Sequence, residues 1–172
     1  MRLWRKLQCL MSTLNLNYFE LFGLNIEVSI ELEELNKKYL ILQAKFHPDK
    51  FINSSNMEKS LATRNSTYIN DAYNTLKDLV LRVDYILKIN NYNVDENKTF
   101  KNTDFLTMQI ELSEKITQCK STEHAQIKEE LVIKIKQLIS EMEKNLSDKK
   151  FDILHENISM VKFYKKSISN LS

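Results

Sequence analysis

The sequence predicts an all-α protein, and three observations support this fold class. The 172 residues include one glycine and one proline, whereas β-hairpins and barrels need turn residues at many positions. Apolar residues recur at spacings of three and four along several long stretches, as they do on one face of a helix. Serine, threonine, asparagine or aspartate precedes most of these stretches, where helix N-caps are favoured. The length suits one ordinary domain or two small ones.

Composition excludes several classes of protein. Hydrophobic residues make up 42% and charged residues 28%, which is typical of a folded chain rather than a disordered one. Charged or amide side chains interrupt every apolar stretch before the roughly 18 residues of a spanning helix, so we expect a soluble protein with no membrane partner. With a net charge of +2, the chain does not have the excess of basic residues that is expected of a dedicated nucleic-acid binder. Cys9 and Cys119 form no CxxC pair, so we expect a reducing compartment and no metal site.

Residues 1–16 are predicted to be an N-terminal extension. They are basic, and no acidic residue occurs before Glu20, which is a weak transit-peptide pattern. Met11 is an alternative start. The favoured interpretation is a bacterial cytoplasmic protein with a frayed or misassigned N-terminus, and the alternative location is the mitochondrial matrix.

The first two helices are predicted from their ends. Asn17 is a plausible N-cap and Gly23 a plausible left-handed stop for a short first helix. The second helix is expected to begin after a cap at Ser29 and to end at about Phe46. It ends there because Pro48 lacks an amide hydrogen and disfavours helical backbone at the residue before it. The apolar face of this helix comprises Leu32, Leu35, Tyr39, Leu42 and Phe46.

A polar loop, "DKFINSSN", is expected to separate the second helix from a third at about Met57–Asp78. The two long helices should pack as an antiparallel hairpin with His47, Pro48 and Asp49 at its tip. A short fourth helix is expected at about 80–90. The apolar stripe of the third helix comprises Leu61, Tyr68, Ile69, Ala72, Tyr73 and Leu76.

Segment 91–102 is polar, aperiodic and rich in asparagine, which predicts a linker between a domain at 17–90 and a second domain at 103–172. Short connections favour antiparallel neighbours, so the second domain should be a three-helix bundle. Its predicted helices are about 104–119 with Thr103 or Asp104 as cap, about 122–146 beginning near Ser121 or Thr122, and about 148–169 after Ser147.

The tripeptide His47-Pro48-Asp49 is the strongest candidate for a functional site. An imidazole beside a carboxylate can bind a metal or act as a general base. However, His124 and His155 lie within helical patterns of the second domain, and no phosphate loop or zinc-ligand spacing occurs. A rigid hairpin tip that holds a carboxylate outward is better suited to meet an arginine of a partner.

At these residues, the first 90 or so positions resemble a J-domain, the module of DnaJ-class co-chaperones. Such domains have a short first helix, a basic second helix, an HPD loop, a long third helix and a short fourth. The resemblance implies that the HPD loop and the basic helix face bind a DnaK-class heat-shock chaperone and stimulate its ATP hydrolysis. The implied contacts are His47, Pro48, Asp49, Lys37, Lys38 and Lys45.

The second half lacks the glycine-phenylalanine linker and cysteine repeats of general DnaJ proteins. Instead, "YFELFGL", "LQAKFHPDKF", "INDAYNTLKDLVLRVDYIL" and "FLTMQIELSEKI" resemble, in order, the HscB-type co-chaperones of iron–sulfur cluster biogenesis. The resemblance implies a protein without an active site or cofactor. Its C-terminal bundle would bind the cluster scaffold IscU and deliver it to the specialised chaperone HscA.

The scaffold contacts implied by this resemblance are Leu106, Thr107, Ile110, Glu111, Glu114 and Phe163. Apolar residues at helical spacing are usually core, so burial of Leu106, Ile110 and Phe163 is the competing interpretation. A second regular stripe on the same helix, Phe105, Met108, Leu112 and Ile116, can supply the core instead. The chain departs from the family at Thr107, where a methionine is usual, and at Ser113, where an arginine is frequent.

Three other functions stay open from the sequence. The first is a metal-dependent or hydrolytic enzyme that uses His47 and Asp49. The second is a J-domain protein that serves a different client. The third is a purely structural helical protein, for which a change at His47 would have no measurable effect.

Overall fold

A computed structural model of the chain describes residues 15–93 and 103–171, and all regular structure in these ranges is helical. The all-α prediction is confirmed. The helices are α1 Tyr18–Leu21, α2 Leu32–Phe46, α3 Asn56–Lys77, α4 Leu79–Ile89, α5 Thr103–Gln118, α6 His124–Ser147 and α7 Phe151–Asn170. Short 3₁₀ turns occur at Pro48–Phe51 and Ser121–Glu123. In the described ranges, no helix has the length and hydropathy needed to cross a membrane.

The chain divides into two compact units, Met1–Tyr85 and Ile86–Ser172. The point of division falls within α4. The segment predicted as a linker, 91–102, follows that helix and lies mostly outside the described residues. The predicted extension, 1–16, also lies outside them except for its last two residues.

Helix α1 has both of its predicted ends. Asn17 Oδ1 accepts a hydrogen bond from the Glu20 backbone N–H at 3.0 Å, and Glu20 Oε2 accepts one from the Asn17 N–H at 2.9 Å. This reciprocal pair is a capping box. At the other end Gly23 is left-handed (φ 55°), and the N–H groups of Gly23 and Leu24 donate to the carbonyls of Glu20 and Phe19. That pattern is a Schellman motif.

Helices α2 and α3 form the predicted antiparallel hairpin. The rings of Tyr39 and Tyr73 stack with centroids 4.1 Å apart. The Tyr39 hydroxyl donates to Asn70 Oδ1 at 3.0 Å, and the Tyr73 hydroxyl donates to Asn36 Oδ1 at 3.3 Å. Residue numbers therefore fall on α2 as they rise on α3. The buried side chains of this unit include Phe19, Leu35, Phe46, Phe51, Ala62, Ile69, Ala72 and Leu76.

The predicted start of α2 is wrong. The helix begins at Leu32 with Glu31 as its N-cap residue, so Ser29 does not cap it. Tertiary contacts explain the later start, because Val28 is fully buried and its carbonyl accepts a hydrogen bond from the Arg82 guanidinium. Leu32 was expected in the core, yet it is 48% exposed.

The predicted start of α7 after Ser147 is also wrong. Ser147 is the last residue of α6, and α7 begins at Phe151. Between them Lys149 has a left-handed backbone (φ 56°), and its N–H donates to the Leu146 carbonyl at 3.1 Å. This tight turn uses residues that the sequence pattern placed inside the next helix.

In the second unit, α7 packs against both α5 and α6, as expected for a three-helix bundle. Ile127, Leu131, Tyr164 and Leu171 form a buried cluster. The Tyr164 hydroxyl donates to Met108 Sδ at 3.2 Å and so joins α7 to α5. The bundle thereby fixes which face of α5 is turned inward.

Candidate functional site

The corner formed by His47, Pro48 and Asp49 lies between two buried phenylalanines. Phe46 at the end of α2 is 3% exposed, and Phe51 at the end of the 3₁₀ turn is 4% exposed. His47 has an extended ψ of 130°, as expected for a residue before proline. The two buried rings anchor the corner on both sides, so its conformation does not depend on a partner. Because Phe51 is surrounded by polar residues in the sequence, its role as an anchor was not predicted.

The side chains of the corner are open to solvent. Those of His47 and Asp49 are 52% and 79% exposed, with His47 Nδ1 and Asp49 Oδ2 3.5 Å apart. His47 Nδ1 accepts a hydrogen bond from the Asp49 backbone N–H at 3.3 Å. Because Nδ1 is the acceptor of this bond, Nε2 is the ring nitrogen that is left to meet a partner. The exposed carboxylate is free to accept a bidentate hydrogen bond from a guanidinium.

The outer face of α2 is less basic than the sequence suggested. Lys37, in the second turn of the helix, and Lys45, in its last turn, are exposed. Between them Leu40 and Ile41 are 57% and 67% exposed, which places two large apolar side chains in the middle of the expected basic surface. We call Lys37, Leu40, Ile41 and Lys45 the α2 outer face. It is suited to a partner surface with an apolar centre and acidic edges.

Lys38 makes an intramolecular contact, and its role in binding the chaperone stays a prediction. Its Nζ donates to the Gly23 carbonyl at 2.9 Å and forms an ion pair with Glu34 at 2.6 Å. The side chain is 31% exposed. Lys38 therefore joins α2 to the left-handed end of α1, an intramolecular role that the sequence pattern did not indicate.

Helix α5 exposes the apolar residues that the sequence placed on a binding face. Leu106 and Ile110 are 47% and 61% exposed, so they are not bundle core. The competing stripe is half-buried, with Met108, Leu112 and Ile116 packed against the buried cluster. Sequence reasoning thus separated the two faces of this helix correctly.

Acidic residues flank the exposed apolar pair. Glu111 and Glu114 are exposed, and neither carboxylate has a hydrogen-bond or ion-pair partner among residues 15–93 and 103–171. Leu106, Ile110 and Glu114 recur every four residues and so form one row along the helix. Thr107 is exposed too, but its hydroxyl donates to the Thr103 carbonyl at 3.0 Å. We call Leu106, Thr107, Ile110, Glu111 and Glu114 the α5 outer face.

Phe163 is placed as expected for a residue that belongs to the bundle core. It is half-buried and packs against the buried cluster of the bundle. Its ring meets that of Phe105 edge-on, with centroids 6.3 Å apart. A direct role of Phe163 in binding stays a prediction.

The other two histidines lie in the second unit. His124 is the first residue of α6, and the His155 ring lies 5.9 Å from that of Tyr92. Within the described part of the chain, no three His, Cys, Asp or Glu side chains form a group that could hold a metal ion. The His-Pro-Asp corner and the α5 outer face are thus two exposed surfaces, one in each unit.

Comparisons with known proteins agree with this organisation. Residues 101–172 match the family described as HSCB C-terminal oligomerisation domain. A co-chaperone protein HscB homolog from Psychromonas ingrahamii is 35% identical over 157 residues, which cover 88% of this chain and 92% of that protein. The chain belongs to the HscB co-chaperone family. The resemblance found in the sequence is thereby confirmed.

Two further HscB proteins show the extent of the similarity. A homolog from Colwellia psychrerythraea is 40% identical over 100 residues, which span 58% of this chain and 57% of that relative. The structure of chaperone HscB from Vibrio cholerae is similar with a TM-score of 0.81 and 28% identity, over 90% of this chain and 95% of that one. HscB proteins combine a J-domain with a helical C-terminal domain, in agreement with the helices described above.

Proposed function

We propose that this protein binds the iron–sulfur scaffold IscU, delivers it to the chaperone HscA and stimulates the ATPase of HscA, so promoting cluster maturation and transfer. The observation that supports this best is the presence, in one chain, of an exposed His-Pro-Asp corner and an exposed apolar and acidic face on α5. The protein itself would have no active site. Its bacterial relatives favour the cytoplasm as the location.

The chaperone contact would be made by the corner and the α2 outer face. The Asp49 side chain is 79% exposed and its carboxylate lies 3.5 Å from His47 Nδ1, so a chaperone arginine could reach it from the solvent side. Lys37 and Lys45 would meet acidic groups around that arginine. Stimulation requires that this contact be stronger with the hydrolysis-competent chaperone than with its resting conformation.

The scaffold contact would be made by the α5 outer face. Leu106 and Ile110 supply its apolar centre, and Glu111 and Glu114 select a partner with basic residues at the edge. Two weak contacts on one chain raise the effective concentration of the scaffold at the chaperone. This bivalency explains how a protein without catalytic groups can accelerate another protein's reaction.

The decisive experiment measures HscA ATPase activity with and without IscU. His47→Gln and Asp49→Ala should each abolish stimulation while helicity and IscU affinity stay unchanged, because both side chains are exposed. Asp71→Ala, at an exposed aspartate on α3, is the matched control and should stimulate normally. Full stimulation by the corner variants would disprove the chaperone contact, and ATP hydrolysis by the protein alone would support an enzyme instead.

The scaffold contact is tested separately in the same assay. Leu106→Ala combined with Ile110→Ala should weaken IscU binding by about tenfold or more, since exposed apolar centres dominate interface energies. Stimulation without IscU should be retained. The control is Val132→Ala combined with Ile133→Ala, a pair of similar exposure on α6. Equal IscU affinity for both double variants would exclude the α5 outer face.

A further inference from the structure

Ile52 directly follows the 3₁₀ turn at the His-Pro-Asp corner and leaves its apolar side chain in solvent. The residue is 63% exposed, whereas Phe51 beside it is 4% exposed. Its backbone is helical (φ −54°, ψ −38°), and its N–H donates to the Asp49 carbonyl at 3.5 Å. Ile52 therefore continues the geometry of the turn by one residue.

Ile52 and Asp49 lie on the same side of this turn. A 3₁₀ helix has three residues per turn, so side chains three positions apart eclipse one another, about 6 Å apart along the axis. Pro48 and Phe51 form the side that faces the core, because Phe51 is buried. The Asp49 side chain is 79% exposed. An exposed carboxylate and an exposed apolar side chain are thus neighbours on one outward side.

Hydrogen bonds also hold the backbone that follows Ile52. The Ser54 N–H donates to the Phe51 carbonyl at 2.9 Å. Ser55 then caps α3 through a capping box with Glu58, which is 4% exposed. Because the backbone is ordered on both sides of Ile52, little conformational entropy is lost when a partner contacts this side chain.

An arginine that binds Asp49 has an apolar part that Ile52 can contact. The guanidinium ends a stem of methylene groups, and arginine buries this stem along apolar surfaces while its head stays polar. An ion pair that is open to water on all sides is weak, because solvent and salt screen it, and a covered pair is screened less. Lysine gains less from such cover, since its compact charge is more strongly hydrated.

We propose that Ile52 is a specificity-determining contact of the corner. It packs against the methylene stem of the chaperone arginine that binds Asp49, and it covers one side of that ion pair. This inference rests on the proposed function, because it takes the DnaK-class chaperone as the partner of the corner. Single exposed apolar residues are ordinary on protein surfaces, and the shared side with Asp49 is what distinguishes this one.

Titration of HscA ATPase stimulation at several salt concentrations tests this contact. Ile52→Ser should raise the concentration needed for half-maximal stimulation by about tenfold, with maximal stimulation retained, because Asp49 is unchanged. Added salt should weaken this variant more than the unmodified chain, since the ion pair is then open to water. Ile52→Met keeps an apolar side chain and should behave like the unmodified chain. Leu81→Ser, at an exposed leucine on α4, is the control and should also do so.

The outcomes separate this inference from the proposed function. Far-UV circular dichroism should show the same helicity for all variants. If Ile52→Ser matches the unmodified chain while Asp49→Ala abolishes stimulation, Ile52 makes no contact and the proposed function stands. If Asp49→Ala stimulates normally, the proposed chaperone contact and this inference both fail. An equal loss in Ile52→Ser and Ile52→Met would also overturn the inference, because apolar character would then not matter.

Discussion

Arg82 joins three segments of the first unit through one buried guanidinium. The residue is 5% exposed. Its Nε donates to the Leu76 carbonyl at 2.6 Å, Nη2 donates to the Lys77 carbonyl at 3.4 Å, and Nη1 donates to the Val28 carbonyl. Leu76 and Lys77 are the last two residues of α3, whose carbonyls have no partner within the helix. Arg82 therefore caps α3 and holds the segment that precedes α2.

Arg82→Met should lower the free energy of unfolding by about 2–4 kcal/mol, because the methionine fills the space but leaves buried carbonyls without donors. Urea unfolding followed by circular dichroism measures this change. Arg64→Met, at an exposed arginine on α3, should cost less than about 0.5 kcal/mol. A similar small cost for both variants would show that water replaces the Arg82 hydrogen bonds.

Helix α1 is too short to be stable alone, and a group of three tyrosines attaches it to α3 and α4. The rings of Tyr18 and Tyr85 stack with centroids 4.2 Å apart, and Tyr68 meets Tyr18 edge-on at 5.2 Å. The Tyr85 hydroxyl accepts from the Tyr18 N–H at 3.0 Å. Burial is the main cause that raises the pKa of Tyr68 from its ordinary 10.0 to about 12, and the neighbouring phenols of Tyr85 and Tyr18 also raise it. Burial also raises the pKa of Tyr18 and of Tyr85.

Alkaline pH should release this attachment. The folded state holds the Tyr68 proton more tightly than the unfolded state does, so the contribution to stability is complete below pH 10.0 and is lost as pH rises through about 12. Tyrosinate absorbance and circular dichroism, followed together against pH, should report both events in that window. Tyr68→Phe keeps the ring but has no hydroxyl that can ionise. The loss of helicity should therefore move to higher pH in this variant. An unchanged alkaline midpoint would contradict this account.

A separate prediction concerns the part that the α2 outer face plays in the proposed chaperone contact. Leu40→Ser combined with Ile41→Ser should reduce ATPase stimulation several-fold, because a surface with an apolar centre loses its main buried area on binding. The ATPase assay described above measures this loss. Leu32→Ser, at an exposed leucine on another side of the same helix, is the control and should stimulate normally. Equal activity of the two variants would mean that only the charged ends of the face take part.

Helix positions were largely predictable from the sequence, but the surfaces were only partly so. Both ends of α1 and the C-terminal end of α2 were predictable, because they depend on residues close by in the sequence, namely Asn17, Gly23 and Pro48. The start of α2 was not, because burial of Val28 and its bond to Arg82 depend on residues far along the chain. Leu32 was wrongly expected in the core for the same reason, since only packing decides how much of a helix face is covered.

The protein as a whole is proposed to act by holding two contacts in one chain. The His-Pro-Asp corner belongs to Met1–Tyr85, and the α5 outer face belongs to Ile86–Ser172. Each unit has its own buried core, so damage to one surface should leave the other active. The advantage of linkage is the high local concentration of scaffold at the chaperone, which separate molecules cannot provide.

A mixture of two disabled proteins tests this linkage. One carries His47→Gln, and the other carries Leu106→Ala with Ile110→Ala. Their mixture should fail to restore the additional HscA stimulation seen with IscU, although each protein keeps one contact. Full restoration by the mixture would show that linkage in one chain is unnecessary.

The sequence by itself determined the helical class, the order of the helices, the corner at Pro48 and the two stripes of α5. These follow from backbone restrictions and helical periodicity, which act over a few residues. Only the tertiary structure decided that Phe51 anchors the corner, that Lys38 is bonded to Gly23, and that Phe163 lies in the bundle packing. Each of these depends on a neighbour that folding brings close, and the spacing of apolar residues along one helix gives no information about that neighbour.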